Sequence, residues 1–391
     1  MDFALSEEQK MMLDVTRRFV ERELMPLEGQ MQEAEMRGEY FPDPETTRAL
    51  QLKARQAGLW GLMTPEKYGG VELGFMMTAL ILMETARTFL PFQYGGSADN
   101  ILYYANEAQQ ERYLLPTIAG ERKSCFAITE PDAGSDARNI RMTATKDGSD
   151  WVLNGEKIFI TGGNEADFCI VFAVTDPDRQ PRASEGVTAF LVDRDMGWES
   201  SPIPTMGGWS PASLSFADVR VPEENVLGEV GKGFYLAMEW IGSGRIFIPA
   251  RAVGQGQRLI DMGLQYAQTR ETFGQPIATY QAIQWMLADS AVELEEAKWL
   301  VLRAAWVADQ GRDYRHAASM AKLSGAQMIW NVADRMMQLH GGMGYTKEMP
   351  IERVLRDVRV YRIYEGTDEI QRRTIARNLL RGFAKVDGWE T

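Results

Sequence analysis

Near residue 123 the hydrophobic pattern changes from helical spacing to strand-like runs, and near residue 231 it changes back. Neither a single helical bundle nor a single sheet can satisfy both periods, because side chains face one side every 3.6 residues in a helix and every 2 in a strand. Between the two switches lie Phe168-Cys-Ile-Val-Phe-Ala-Val174, Val187-Thr-Ala-Phe-Leu-Val192 and the alternating Leu214-Ser-Phe-Ala-Asp-Val-Arg-Val221, which stops at Pro222. Trp151-Val-Leu, Asn154-Gly155 and Glu-Lys-Ile-Phe-Ile160 read as a tight hairpin with its turn at Asn-Gly. These runs predict a compact, antiparallel β-barrel or sandwich.

The flanks predict helices. Ser6-Glu-Glu-Gln9 is a capping box ahead of Met12, Val15 and Phe19. Pro42 and Pro44 precede a helix carrying Leu50 and Leu52, and a Met-rich helix extends to about Phe89. Past residue 231, Ile283, Leu287, Leu294, Val301 and Ala305 form one stripe, and Met320, Leu323 and Met336 form another. The expected fold is therefore α+β. A helical domain (1–122) precedes a small β domain (123–230), and a C-terminal four-helix bundle (231–391) follows.

Composition narrows the function. With 42 Lys and Arg against 55 Asp and Glu the net charge is −13, which repels a nucleic-acid backbone. Two histidines are too few for a His-based zinc cage, and no metal is expected. No Gly-x-Ser-x-Gly elbow, P-loop or Gly-x-Gly-x-x-Gly is present. Ser319-Met-Ala-Lys322 matches Ser-x-x-Lys inside a helical pattern without partner motifs, a chance match. Cys125 and Cys169 sit in apolar runs and read as buried, reduced thiols. No apolar run reaches the roughly 18 residues of a membrane span. Met1-Asp2-Phe3 lacks a basic, apolar leader, and a cytoplasmic protein is expected.

Five segments could carry chemistry, and each has a plain structural alternative. Phe126 to Asp136 ends in a Gly-Ser turn; it is either a side-chain-stabilised turn or a loop whose amides and Thr129 and Ser135 hydroxyls grip a planar polar ligand. Phe159 and Thr161, two apart, either end a strand or present one face to a flat ring. Arg270-Glu-Thr-Phe-Gly274, followed by Gln281, is either a helix cap or a guanidinium set for a diphosphate. Gln338-Leu-His-Gly-Gly-Met-Gly-Tyr345 terminates a helix or admits close backbone approach. Glu365, between Tyr364 and Gly366 ahead of a helix starting near Thr367, is a solvated turn or a desolvated base in an aromatic cleft.

In this order and spacing, the five segments resemble the acyl-CoA dehydrogenase family over essentially the whole chain. Ile128-Thr-Glu-Pro-Asp-Ala-Gly-Ser-Asp136 is similar to its first signature; Gln338 to Gly344 and Ile363-Tyr-Glu-Gly-Thr367 are similar to its second. The resemblance implies a flavoprotein of fatty acid metabolism, holding FAD between the β domain and the C-terminal helices. Phe126, Ile128, Thr129, Gly134 and Ser135 would contact the flavin or its ribityl chain. Phe159 and Thr161 would stack on and hydrogen-bond the ring. Arg270, Thr272 and Phe273, with Gln281, would hold the diphosphate and adenosine from a neighbouring subunit, and Gln338, Gly341 and Gly342 would reach across to the same FAD. Thr367 and Glu369 would cap the diphosphate.

The implied reaction is α,β-dehydrogenation of an acyl-CoA, with Glu365 as base. Ser135, Ser184, Arg245, Tyr364 and Gly366 match substrate-contact positions. The base that some members place just before an arginine would fall on Gly244 here. A homotetramer passing electrons to an electron-transfer flavoprotein is implied. The alternatives are an oxygen-using, usually longer, acyl-CoA oxidase and a non-catalytic flavoprotein relative. Two stretches depart from the pattern. Met206 to Ser213 lacks a common arginine. Ala98-Asp-Asn-Ile101 is more polar than in members taking plain fatty chains, so Asp99 or Asn100 is expected to meet a polar acyl tail, unless Asp99 only caps a helix.

Overall fold

The computed structural model describes residues 4–180, 183–208 and 210–383, so Trp209 of the 206–213 stretch lies outside it. The chain divides into two compact units: Thr64–Val71 with Gly95–Gly242, and Met1–Met63 with Glu72–Tyr94 and Ser243–Thr391.

The first of these is built on a sheet of β1 (Ser124–Ala127), β2 (Thr143–Asp147), β3 (Asp150–Ile160), β4 (Phe168–Val174), β5 (Val187–Asp193), β6 (Glu199–Pro202), β7 (Ala212–Pro222) and β8 (Val226–Leu227). The order is β6-β7-β3-β2-β4-β5-β8, with β1 beside β4. β4 is apolar throughout and β5 nearly so, broken by the buried Thr188 and Asp193, because both their faces are covered. Cys169, Val171 and Ala173 enter one core with Trp151, Leu153 and Phe216. Phe168, Ile170 and Phe172 enter a second with Ile101, Leu102, Tyr113 and Phe234. Both cysteines are buried and reduced. Most pairings are antiparallel, but β1 and β2 each run parallel to β4.

Asn154-Gly155 does not form the hairpin turn. β3 runs straight through it, and β2 and β3 pair down to Asp147 and Asp150, so the chain reverses at Gly148-Ser149. The Asn-Gly pair instead faces a bulge in β7, where Ala217 and Asp218 stand opposite Asn154. Asn154 exchanges two hydrogen bonds with Asp218, through the side chain at 3.0 Å and the backbone N–H at 2.9 Å. Gly155 takes φ +145°, and a Cβ there would lie 2.8 Å from Met142. Cross-strand partners overrode the local turn preference.

The other unit holds α1 (Glu7–Phe19), α2 (Glu28–Met36), α3 (Pro44–Gln56), α4 (Phe75–Thr85), α5 (Gly233–Thr269, from Ser243 onward), α6 (Gln281–Asp309), α7 (Arg315–His340), α8 (Ile351–Val358) and α9 (Asp368–Leu380). The Ser6–Gln9 capping box forms as expected. Gly74 offers α4 no capping side chain, and the Asp309 carboxylate supplies the acceptors, taking Phe75 N at 2.6 Å and Met76 N at 2.9 Å. Leu294, Val301 and Ala305 of the predicted stripe are buried with Ile329, Val332 and Met336, and Ile283 and Leu287 pack at the edge.

Candidate active site around Glu365

The site grows from the turn between α8 and α9. A short 3₁₀ segment, Arg359–Arg362, ends the helical run, and Thr367 starts the next by accepting Ile370 N on its hydroxyl. Between them Glu365 and Gly366 both adopt left-handed backbone, φ +54° and +89°. A non-glycine residue there stores strain on the order of 1 kcal/mol or more and persists only where its surroundings hold it.

The surroundings do so through the two carbonyls. Arg245 Nε of α5 donates to the Glu365 carbonyl at 3.0 Å. Gln371 Nε2 of α9 donates to both carbonyls, at 2.9 and 3.1 Å. Lys322 Nζ of α7 donates to the Gly366 carbonyl at 2.6 Å. At φ +89° any side chain on Gly366 is strained, and its Cβ would come within 2.7 Å of Gln371 Nε2 and displace that donor from the clamp.

Glu365 keeps some exposure, yet its Oε2 is buried with no hydrogen-bond partner. Burial raises its pKa to about 7, and the positive charges of Arg245 and Lys322 oppose that rise. Gly244 leaves room beside it: a Cβ there would stand 3.4 Å from the carboxyl carbon. Tyr364 stacks on Tyr361 with centroids 5.7 Å apart, and burial pushes both phenols upward. A carboxylate near neutrality, unpaired and flanked by cations, can take a proton from a weak carbon acid.

The other expected positions fall into two groups. In the sheet unit, Thr129, Ser135 and Thr161 have no side-chain hydrogen bonds among the described residues, and Phe159 is 60% exposed. Phe159 reaches the surface by a bulge with φ +60°, and Thr161 lies in the turn past the strand, so simple alternation does not account for them. Free hydroxyls beside an exposed ring suit a flat, polar cofactor. The loop is anchored from below by the fully buried Lys157, which contacts the Glu130 carboxylate at 2.8 Å and the Ile128 carbonyl at 3.2 Å. The Ile128 side chain enters the core, and one face of Phe126 is covered by Trp240 at 4.0 Å. Gly134 is exposed, and Ser184 sits in the bend before β5. Asp99 does not cap its helix: its carboxylate accepts Ser124 Oγ at 2.7 Å and Trp240 Nε1 at 2.8 Å. Asn100 Oδ1 is buried without a partner.

In the helical unit, Arg270, Phe273, Gln281, Gln338, Gly341 and Gly342 are all exposed, and Phe273, at φ +52°, is 99% exposed. Thr272 is half-buried, and Gly274 turns a two-stranded hairpin and caps no helix. Tyr266, near the end of α5 ahead of this hairpin, packs on His340 at 4.4 Å and so ties that helix end to the end of α7. His340 Nδ1 contacts the Met336 carbonyl and is structural. The structure does not bring this patch to Glu365: Lys322 and His340 lie at opposite stretches of α7, roughly 27 Å apart along its axis. Glu369 is exposed beside Thr367.

Sequence reasoning missed Lys322, Gln371 and Trp240. Ser319 gives its hydroxyl to the Arg315 carbonyl, so Ser-x-x-Lys is no catalytic pair. A readable signal was present, since Lys322 interrupts the small apolar stripe of Ala318, Ala321, Gly325 and Ile329. No group of metal-ligating side chains occurs among the described residues, nor is any helix there long and apolar enough to cross a membrane.

Residues 6–121, 125–219 and 231–380 match, in turn, the N-terminal, middle and C-terminal domains of acyl-CoA dehydrogenase. (R)-benzylsuccinyl-CoA dehydrogenase of Thauera aromatica is 40% identical over 400 residues, covering 97% of each chain. Butyryl-CoA dehydrogenase from Megasphaera elsdenii superposes with TM-score 0.85 at 33% identity, over 97% of this chain and 100% of that one. A chain in a structure of the electron transferring flavoprotein of Acidaminococcus fermentans gives TM-score 0.86 at 36% identity, with 97% and 100% coverage.

Proposed function

Because this chain belongs to the acyl-CoA dehydrogenase family, we propose that it oxidises an acyl-CoA thioester to the 2-enoyl-CoA with Glu365 as the base and FAD as the cofactor. The observation that carries this reading is the unpartnered, buried Glu365 Oε2 on a clamped left-handed turn. Bound FAD supplies the acceptor for the β-hydrogen, which leaves as hydride. Glu365 Oε2 takes the α-proton. The fixed turn aims the Glu365 backbone N–H at the thioester carbonyl, where charge develops as that proton leaves. Arg245, Tyr364 and Gly366 bound the acyl side of the base.

The FAD is held by Thr129, Ser135 and Thr161 through their unused hydroxyls and by Phe159 through its exposed ring, with Phe126, Ile128 and Gly134 shaping the loop and Ser184 near the substrate. Thr367 and Glu369 mark the helix terminus for the diphosphate.

Arg270, Thr272, Phe273, Gln281, Gln338, Gly341 and Gly342 serve the FAD of a second copy, because they stand too far along α7 to serve their own Glu365. An oligomer, a homotetramer by family likeness, is supported by Trp285, Val292, Trp299 and Trp306. These four exposed apolar side chains recur every seven residues along α6. An electron-transfer flavoprotein is the proposed acceptor. The buried, unpaired Asn100 Oδ1 favours an acyl group with a polar substituent.

The test is the visible spectrum of the purified holoprotein during anaerobic addition of acyl-CoAs, plain and polar-substituted. Bleaching by one thioester, lost in Glu365→Gln while the flavin band stays, is expected. A Glu365→Gln protein that still bleaches at the wild-type rate overturns the assignment of the base.

A further inference from the structure

Lys322 is a charged group at this turn that the dehydrogenation chemistry does not require, and its placement is unusual. It lies in the middle of α7 with no exposed surface, among Ala318, Ala321 and Gly325. Among the described residues it makes no ion pair; Asp368 on α9, whose charge favours the ammonium, has its Oδ2 occupied by Arg362 Nε at 2.8 Å and Gln327 Nε2 at 3.2 Å. Its sole hydrogen bond among them is the 2.6 Å contact to the Gly366 carbonyl. Taking an ammonium out of water without an ion-pair partner opposes folding, so a hydrophobic residue of the same length would serve packing better.

We propose that Lys322 is a positioning residue for the base: its single bond locks the Gly366 peptide, and its charge, held in no ion pair, favours the ionised form of the unpartnered Glu365 carboxylate. This rests on the reading of Glu365 as base.

The charged groups around the pair are few. Glu365 is faced by Arg245 from α5 and Lys322 from α7, with the buried phenol of Tyr364 adjoining. Lys322 is influenced by Asp368, Glu369 and Glu365, which favour its charge, and by Arg245, which opposes it. Burial still brings Lys322 down to about 8, so it is charged at neutral pH, where Glu365 is half ionised. Arg245 binds the Glu365 backbone carbonyl, so the two cations act together. Each fixes one carbonyl of the turn, and both lower the cost of the bare carboxylate.

The experiment compares pH profiles of kcat/KM between pH 5 and 9 for wild type, Lys322→Gln, Lys322→Met and Lys322→Arg holoenzymes, with FAD content and melting temperature as controls. Lys322→Gln keeps a donor and loses the charge. Its acid limb should move about one pH unit upward, with kcat at the plateau little changed. Lys322→Met loses both, so the same shift should come with a fall of about tenfold in plateau kcat. Lys322→Arg should return the limb to its wild-type position. A purely structural lysine would change stability and leave the limb in place. If Lys322→Gln and Lys322→Met, or the one of them that folds with FAD bound, keep the wild-type limb, the proposal is overturned. An active Glu365→Gln enzyme would instead overturn the underlying reading, so the two failures are distinct.

Discussion

Arg245 donates to the backbone carbonyl of Glu365 at 3.0 Å, and no ion pair joins it to the Glu365 carboxylate among the described residues. The guanidinium therefore fixes where the base points without quenching it. A bidentate pair would hold the carboxylate ionised but too weakly basic for a carbon acid. Burial then lifts the carboxyl to about 7.

This position predicts a pH profile and a stability cost. The base works as carboxylate, so kcat/KM should fall about tenfold per unit as pH drops below about 7. The folded-state value, about 7, lies above the reference 4.5, so the stabilising contribution is complete below 4.5 and lost as pH rises through 7. Glu365→Gln should thus melt higher than wild type at pH 8, by up to about 3 kcal/mol, and equally at pH 4. A melting difference that is flat with pH would contradict the burial argument.

Gly244 stands against the carboxyl group, with room for a Cβ at 3.4 Å. Gly244→Glu alone should lower activity at pH 7, since a second carboxylate raises the first one's pKa. In the Glu365→Gln background the same change should recover activity at least about tenfold, because the new carboxylate reaches the same space. Single-turnover flavin reduction measures both; no recovery in the double variant would show that the turn, and not the space beside it, is required.

The buried pair Lys157 and Glu130 anchors the loop that presents Thr129 and Ser135. Glu130 also accepts Arg141 N at 2.6 Å and Met142 N at 3.0 Å. Lys157→Met should cost about 3–5 kcal/mol and release FAD, and adding Glu130→Gln should return part of the loss. Thermal melts with flavin fluorescence read both effects. A single variant as stable as wild type would mean that the loop holds itself.

The α6 stripe predicts assembly. Trp285, Trp299 and Trp306 replaced together by Glu should leave far-UV circular dichroism unchanged and reduce the mass in light scattering to a smaller oligomer. FAD occupancy should fall with it if Arg270 and Gln338 act across subunits. Wild-type mass in that variant would remove the stripe from the interface.

The order of helices, strands and helices was legible in the amino-acid sequence alone, because the change from a 3.6 to a 2 period survives any packing. So was the turn at Glu365, because Glu-Gly ahead of a Thr N-cap leaves few backbone choices. What surrounds that carboxylate was settled by tertiary packing. Gly244, Arg245, Lys322 and Gln371 come from three helices, and nothing in their local spacing links them to residue 365. The same limit produced the mistaken hairpin at Asn154-Gly155, where Asp218, sixty-four positions away, turned a turn signal into continuous strand opposite a bulge. Local propensity is set by neighbours in sequence, whereas burial and partnership, which fix pKa and strain, are set by neighbours in space.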